Sequence, residues 1–189
     1  MCYNPADMFV LDLPALLVRQ QDYDEKFHKE IAWLPPDIKA KHYTLHVAKY
    51  VARLVEIRRA YQEVYWHKTL ADIFIVALSA TNAWNVHVSL FEASVLDPSV
   101  QEKMTEYVDQ RKAVSLALIP WFQEELALIV GSMARACEQL DHGETVDYTH
   151  VLKLSVVNMF ILVLAIARLL DVDLKHIVEM RWESLEHRV

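Results

Sequence analysis

The sequence predicts an all-α bundle of about seven helices, and three observations carry that prediction. Only two of the 189 residues are glycine, where average usage would give roughly 13. That scarcity removes the glycine-rich phosphate loops of Rossmann and P-loop proteins and the Asn-Gly and Asp-Gly turns of small β domains. Apolar residues make up 54% of the chain and recur in long runs with helical spacing. The few breaks fall at proline or at Asp-rich turns such as Pro35-Pro36, Asp97-Pro98 and Asp171-Val172-Asp173. The length suits one compact helical domain over 1–189.

The elements follow in order. Asp12-Leu13-Pro14 reads as an N-cap with proline at the first turn, opening a helix to about Trp33 that Pro35-Pro36 ends. Asp37 opens a second helix through about Tyr65. After a break at Trp66 to Lys68, an almost wholly apolar helix runs from Thr69 to Trp84. Ser99 with Glu102 forms a capping box for a helix that Pro120 kinks or ends. A further helix covers about Trp121 to Leu140, and a loop follows at 141–145. The last two helices span about Tyr148 to Leu170 and Leu174 to His187. The run from Leu154 to Leu170 is interrupted by Ser155, Asn158 and Arg168 and falls short of the about 20 apolar residues a membrane span needs. It reads as a core helix, with no membrane partner expected.

Charge narrows the partners. A net charge of −7 argues against a general DNA or RNA binder, which needs a basic surface. Cys2 and Cys137 make no disulfide framework, and Asp7 and Asp12 stand where a secretory signal needs basic residues. A cytoplasmic protein is expected. The high apolar content favours a homo-oligomer.

Two stretches repeat. Residues 72–88 align without a gap on 158–174, pairing Phe74 with Phe160, Ile75 with Ile161, Leu78 with Leu164 and Val86 with Val172. Upstream, Val51 to Val55 resembles Leu126 to Val130. The segments 37–96 and 121–188 thus form candidate halves of a fused pseudo-dimer.

Residues Ser155 to Arg188 resemble the last two helices of the all-α NTP pyrophosphohydrolases, the superfamily of MazG, dimeric dUTPase and dCTP pyrophosphatase. Asp171-Val172-Asp173-Leu174 is similar to that family's interhelical turn, Arg181 stands where a lysine is usual, and Arg188 matches its terminal arginine. His42 to Lys49 and Leu70 to Ile73 resemble the opening of its metal-binding helices. In that family Glu-Glu-x-x-Glu and Glu-x-x-Asp place four carboxylates on facing helices, because residues three and four apart share a face, and Mg²⁺ then holds the triphosphate. The matching positions here are Lys49, Tyr50, Arg53, Thr69 and Asp72 in the first half and Glu124, Glu125, Leu128, Ser155 and Asn158 in the second. Neither set is complete.

What replaces the acids is basic. His42, His46, Lys49, Arg53 and Glu56 fall on one helical stripe, and residues 37–66 hold six Lys/Arg against three acids. That stripe has two readings, a solvated helix face or a phosphate or nucleotide site of Lys49, Arg53, His46 and Asp72 that needs no metal. Asp72 is alternatively the end of a Thr69-x-x-Asp72 capping box. Glu56 and Glu63 share a face and with Asp72 form one candidate metal site, the alternative being Glu124 and Glu125. The last two also suit a helix N-terminus. His42 and His46 have metal-ligand spacing, and Glu25-x-x-His28 and Asp147-x-x-His150 loosely echo di-iron bundles. Asn82, Asn85 and Asn158 are polar groups in apolar helices. Three functions remain in play: a non-catalytic nucleotide- or phosphate-binding homologue with an incomplete Mg site, an active Mg-dependent pyrophosphohydrolase, and a structural oligomer without a ligand.

Overall fold

The computed structural model describes residues 12–60, 65–87, 115–145 and 147–187. Among them are seven helices and no strand: α1 (Leu13–Phe27), α2 (Lys29–Ala32), α3 (Pro36–Ala60), α4 (Trp66–Ala83), α5 (Ser115–Asp141), α6 (Tyr148–Leu169) and α7 (Leu174–Glu186). The expected helix opening at Asp97-Pro98-Ser99 lies outside the described residues.

Side-chain caps set three of the helix starts. The carboxylates of Asp12, Asp147 and Asp173 accept from the backbone N–H of Ala15, His150 and His176, each satisfying a donor that has no partner inside its helix. Asp147-x-x-His150 is therefore a cap, not half of a metal site. The first predicted helix is two, because the chain leaves helical geometry at His28 (φ −135°). Helix α4 starts at Trp66, three residues before the expected Thr69, so Thr69 lies inside its first turn and donates to Tyr65 O. No capping box forms there. Pro120 stands inside α5 without ending it.

Four helices make the core. α3 packs on α4 and α5, and α6 packs on α4 and α5. The start of α3 meets the end of α5, where Lys41 pairs with Asp141 and Thr44 faces Cys137 Sγ at 3.5 Å. α1 and α7 then cover α4. Surrounded on its remaining sides, α4 has thirteen of its eighteen residues buried, which accounts for its nearly all-round apolar sequence. α6 is long and apolar enough to cross a membrane, yet 61% of its most apolar window is inside the protein. The packing accounts for that composition as a core helix.

The two helices that align in sequence also end alike. Asn85 and Asp171 are the described non-glycine residues with positive φ, at 50° and 52°, a conformation that Asn and Asp tolerate better than other L-residues. Val86 N donates to Thr81 O as Val172 N does to Ala167 O, and Trp84 N to Ala80 O as Leu170 N does to Ile166 O. Each pair is related by the register that aligns Phe74 with Phe160. Those two rings meet edge to face, 5.1 Å apart, where α4 packs on α6.

Both phenylalanines are at most 2% exposed, so truncation leaves a cavity that the surrounding helices fill only in part. Phe74→Ala is expected to lower the unfolding free energy by about 3–5 kcal/mol in urea titrations. In a double-mutant cycle with Phe160→Ala the two losses fall short of additivity by about 0.5–1.5 kcal/mol. Additive losses would contradict the ring contact.

Candidate functional site

The stripe of α3 is only partly solvated, with Lys49 and Glu56 exposed and His42, His46 and Arg53 half-buried. His42, His46 and Lys49 line a cavity of about 750 Å³, which Asp72 and Ser79 of α4, Asp24 of α1 and Arg181 of α7 also line. α3 turns these three towards the cavity because Tyr43, Val47, Tyr50 and Leu54 anchor adjacent positions in the core. The coverage of α4 by α1 and α7 brings their polar residues over the same opening.

One end of the cavity is cationic. Asp72 is only 4% exposed, and both its oxygens are taken: Arg181 Nε donates to Oδ1 at 2.5 Å and Arg53 Nη1 to Oδ2 at 3.4 Å. The Arg181 side chain is itself only 10% exposed. Its Nη1 is buried and has no hydrogen-bond partner among the described residues. Lys49 adds a third cation at the rim, with its ammonium 4.7 Å from the centre of the Tyr50 ring. Three cations thus face one carboxylate. Burial lowers the Lys49 pKa first, Arg53 lowers it further, and Asp72 opposes both.

Neutral rings continue from this end. His42 and His46 lie with centroids 5.5 Å apart, and His46 lies 5.6 Å from Tyr50. Burial, then Lys49, push His46 down to about 4. Burial also lowers His42, so both histidines are uncharged at neutral pH.

The other end is built around a carboxylate with its own donors. Ser79 Oγ donates to Asp24 Oδ2 at 2.6 Å, and Gln20 Nε2 donates to Oδ1 at 2.8 Å. The hydroxyl proton of Ser79 is thereby committed, so the 2.7 Å contact between Tyr43 and Ser79 has Tyr43 as donor. Gln20 is 1% exposed, and its Oε1 accepts from Trp182 Nε1. Burial raises the Asp24 pKa, and the bonds from Ser79 and Gln20 work against that rise. Burial also pushes Tyr43 up to about 12.

The acidic candidates do not gather. Glu56 is exposed on α3 and does not line the cavity. Glu63 lies outside the described residues. Glu124 is exposed on α5. Glu125 lines a separate groove of about 520 Å³ between α5 and α6, together with Ser155 and Asn158. No three His, Cys, Asp or Glu side chains among the described residues are placed to share a metal ion. A divalent cation needs several free oxygens, and Asp72 has given both of its own to guanidinium groups, so the residues present here do not fit Mg²⁺. His42 faces His46, and His46 faces Tyr50, with no third metal-ligating side chain grouped with them among the described residues.

Other expected residues have plain structural roles. Asn82 donates to Leu17 O and ties α4 to α1, Asn85 supplies the positive-φ turn, and Asn158 is exposed on the second groove. Glu25 accepts from Gln21. Sequence reading did not single out Gln20, Asp24, Tyr43 or Ser79. Gln20 and Asp24 are four apart on a helix that also buries Leu16, Leu17 and Tyr23, and that pairing of polar spacing with an apolar face was the available signal.

Comparisons with protein-family models, with curated proteins and with solved structures find no match.

Removing the Asp72 charge leaves a buried guanidinium uncompensated, so Asp72→Asn is expected to cost about 3–5 kcal/mol in chemical denaturation. Replacing both partners, Asp72→Leu with Arg181→Met, recovers most of that loss. A silent Asp72→Asn would contradict the pairing. His46 gives a pH signature. Its folded pKa lies below its unfolded one, so the unfolded chain binds the extra proton between about 6.5 and 4. The His46 contribution to stability is thus full above pH 6.5 and is lost as pH falls towards about 4. His46→Gln flattens the urea midpoint over that window, and an unchanged slope would count against the burial of His46.

Proposed function

We propose that this protein binds a phosphate-bearing ligand, a nucleotide or a simpler phosphate, in the cavity between α1, α3, α4 and α7, holding it with side chains and no metal. The observation that carries this reading is the pair of cations, Lys49 and Arg181, lining one cavity, with Arg181 held by the bond of Nε to Asp72 and its buried Nη1 donor left unpartnered. An orphaned buried donor is costly to leave unsatisfied. A phosphate oxygen is the acceptor that guanidinium geometry matches best. Lys49 adds charge where the ligand enters, and the cavity volume is within the usual range for small-molecule sites.

The same reading includes descent from the all-α NTP pyrophosphohydrolases, with two halves fused in one chain and the metal chemistry lost from the first. Several features support it. The α4 and α6 termini share one hydrogen-bond pattern, Phe74 packs on its repeat partner Phe160, and the two openings fall at matching positions. In the alignment that pairs Phe74 with Phe160, Asn158, Ile161, Leu162 and Ala165 of the second groove correspond to Asp72, Ile75, Val76 and Ser79 of the cavity. At the positions where the family carries metal-binding acids, this chain presents Lys49, Tyr50 and Arg53. Recognition then rests on fixed charge, and turnover is not part of this reading.

Isothermal titration with inorganic pyrophosphate and with nucleoside triphosphates tests it. Binding is expected in EDTA and unchanged by added Mg²⁺. It weakens with salt, and Lys49→Ala weakens it about tenfold, the worth of roughly one charged hydrogen bond. Lys49 stands at the rim, so its removal leaves the fold intact. Binding that requires Mg²⁺, or no binding across the panel, would overturn the proposal.

A further inference from the structure

The cavity has two unlike ends, and the second constrains the ligand as much as the first. The end formed by Asp24, Ser79 and Tyr43 offers acceptors. Ser79 spends its proton on Asp24, and Tyr43 spends its own on Ser79. Each oxygen of Asp24 receives one bond, from Gln20 or Ser79, and a carboxylate has room for about four. Two acceptor directions of a half-buried carboxylate are therefore unspent, beside hydroxyls with no proton left to give. A ligand carbonyl set against Asp24, Ser79 and Tyr43 meets their oxygen lone pairs. A ligand N–H meets a charged acceptor held rigid by its own hydrogen bonds.

We propose that Asp24 reads an N–H donor at the end of the ligand remote from its phosphate, so that the preferred ligands are nucleotides whose base carries an exocyclic amino group. This deepens the anion-binding reading and rests on it. The phosphate meets Lys49 and Arg181, and the base lies along the rings of His42, His46 and Tyr50, which line the same cavity. Its amino group reaches Asp24. The order of charge along the cavity, cations and then neutral rings and then a carboxylate, is complementary to that molecule. A base presenting a carbonyl at the same place loses a hydrogen bond and sets an oxygen against Asp24, and sites built to bond a polar group discriminate strongly against an analogue that lacks it.

Two matched pairs of ligands test this on the full chain: cytidine against uridine monophosphate, and adenosine against inosine monophosphate. Each pair exchanges one amino group for a carbonyl. Inorganic phosphate is the third probe. The amino member of at least one pair is expected to bind about tenfold or more tightly. Asp24→Asn, whose amide supplies a donor, brings the pair within about threefold, while inorganic phosphate still binds. The wild-type ratio needs no variant, so an Asp24→Asn chain that fails to fold leaves that ratio as the deciding number. Phosphate binding with equal affinities within both pairs overturns the role of Asp24 alone. A preference that survives Asp24→Asn in a folded chain does the same. Failure of phosphate and all four nucleotides to bind instead overturns the anion site beneath it.

Discussion

The clamp on Asp72 is the interaction on which the rest of the cavity depends. A carboxylate 4% exposed on a helix with most of its residues buried has to be neutralised, and here two arginines from different helices do it, one from α3 and one from α7. The clamp ties the C-terminal helix to the core. It fixes the orientation of Arg181, and the geometry of a planar guanidinium with several donors leaves Nη1 without a partner. The same clamp occupies the oxygens that a divalent cation would need. A single arrangement thus closes one kind of chemistry and leaves the other possible.

Position in the bundle decides which polar groups are strained. α4 is enclosed by α1, α3, α6 and α7, so the polar residues facing its neighbours must find partners within the protein. Thr69 and Thr81 bond back to their own helix, Asn82 bonds to α1, and Ser79 joins Tyr43 and Asp24. Among the described residues, α6 packs chiefly on α4 and α5. The groove between α5 and α6 is edged by Leu128 and Leu154, 68% and 50% exposed.

Much of the architecture was legible because helix grammar is local. The Asp12 cap, the Asp171 turn and the apolar run of α6 follow from side chains within a turn or two of one another, and the bounds of α6 and α7 lie within a residue of expectation. The expected helix boundary at Pro120 does not form, since a proline signals a break by local rules while α5 continues through it. Lys49, His46 and Asp72 were found as a group because they fall on two helices whose pattern resembled a known family. Arg181 stood out only as replacing the family's usual lysine, and Asp24 not at all, because each reaches the cavity from an element far away in sequence, 109 residues from Asp72 in one case and 55 from Ser79 in the other. Helical periodicity tells which way a residue faces on its own helix. It does not tell which distant helix it will face.

The central claim is that the site takes an anion directly onto Arg181 and Lys49. A crystal structure of the protein grown with pyrophosphate in EDTA tests it most directly. The account predicts an anion within hydrogen-bond distance of Arg181 Nη1 and near Lys49 Nζ, with Asp72 still bound by Arg181 and Arg53. An anion found only elsewhere would contradict it. So would a metal-supplemented crystal in which Asp72 has released both arginines to ligate a cation.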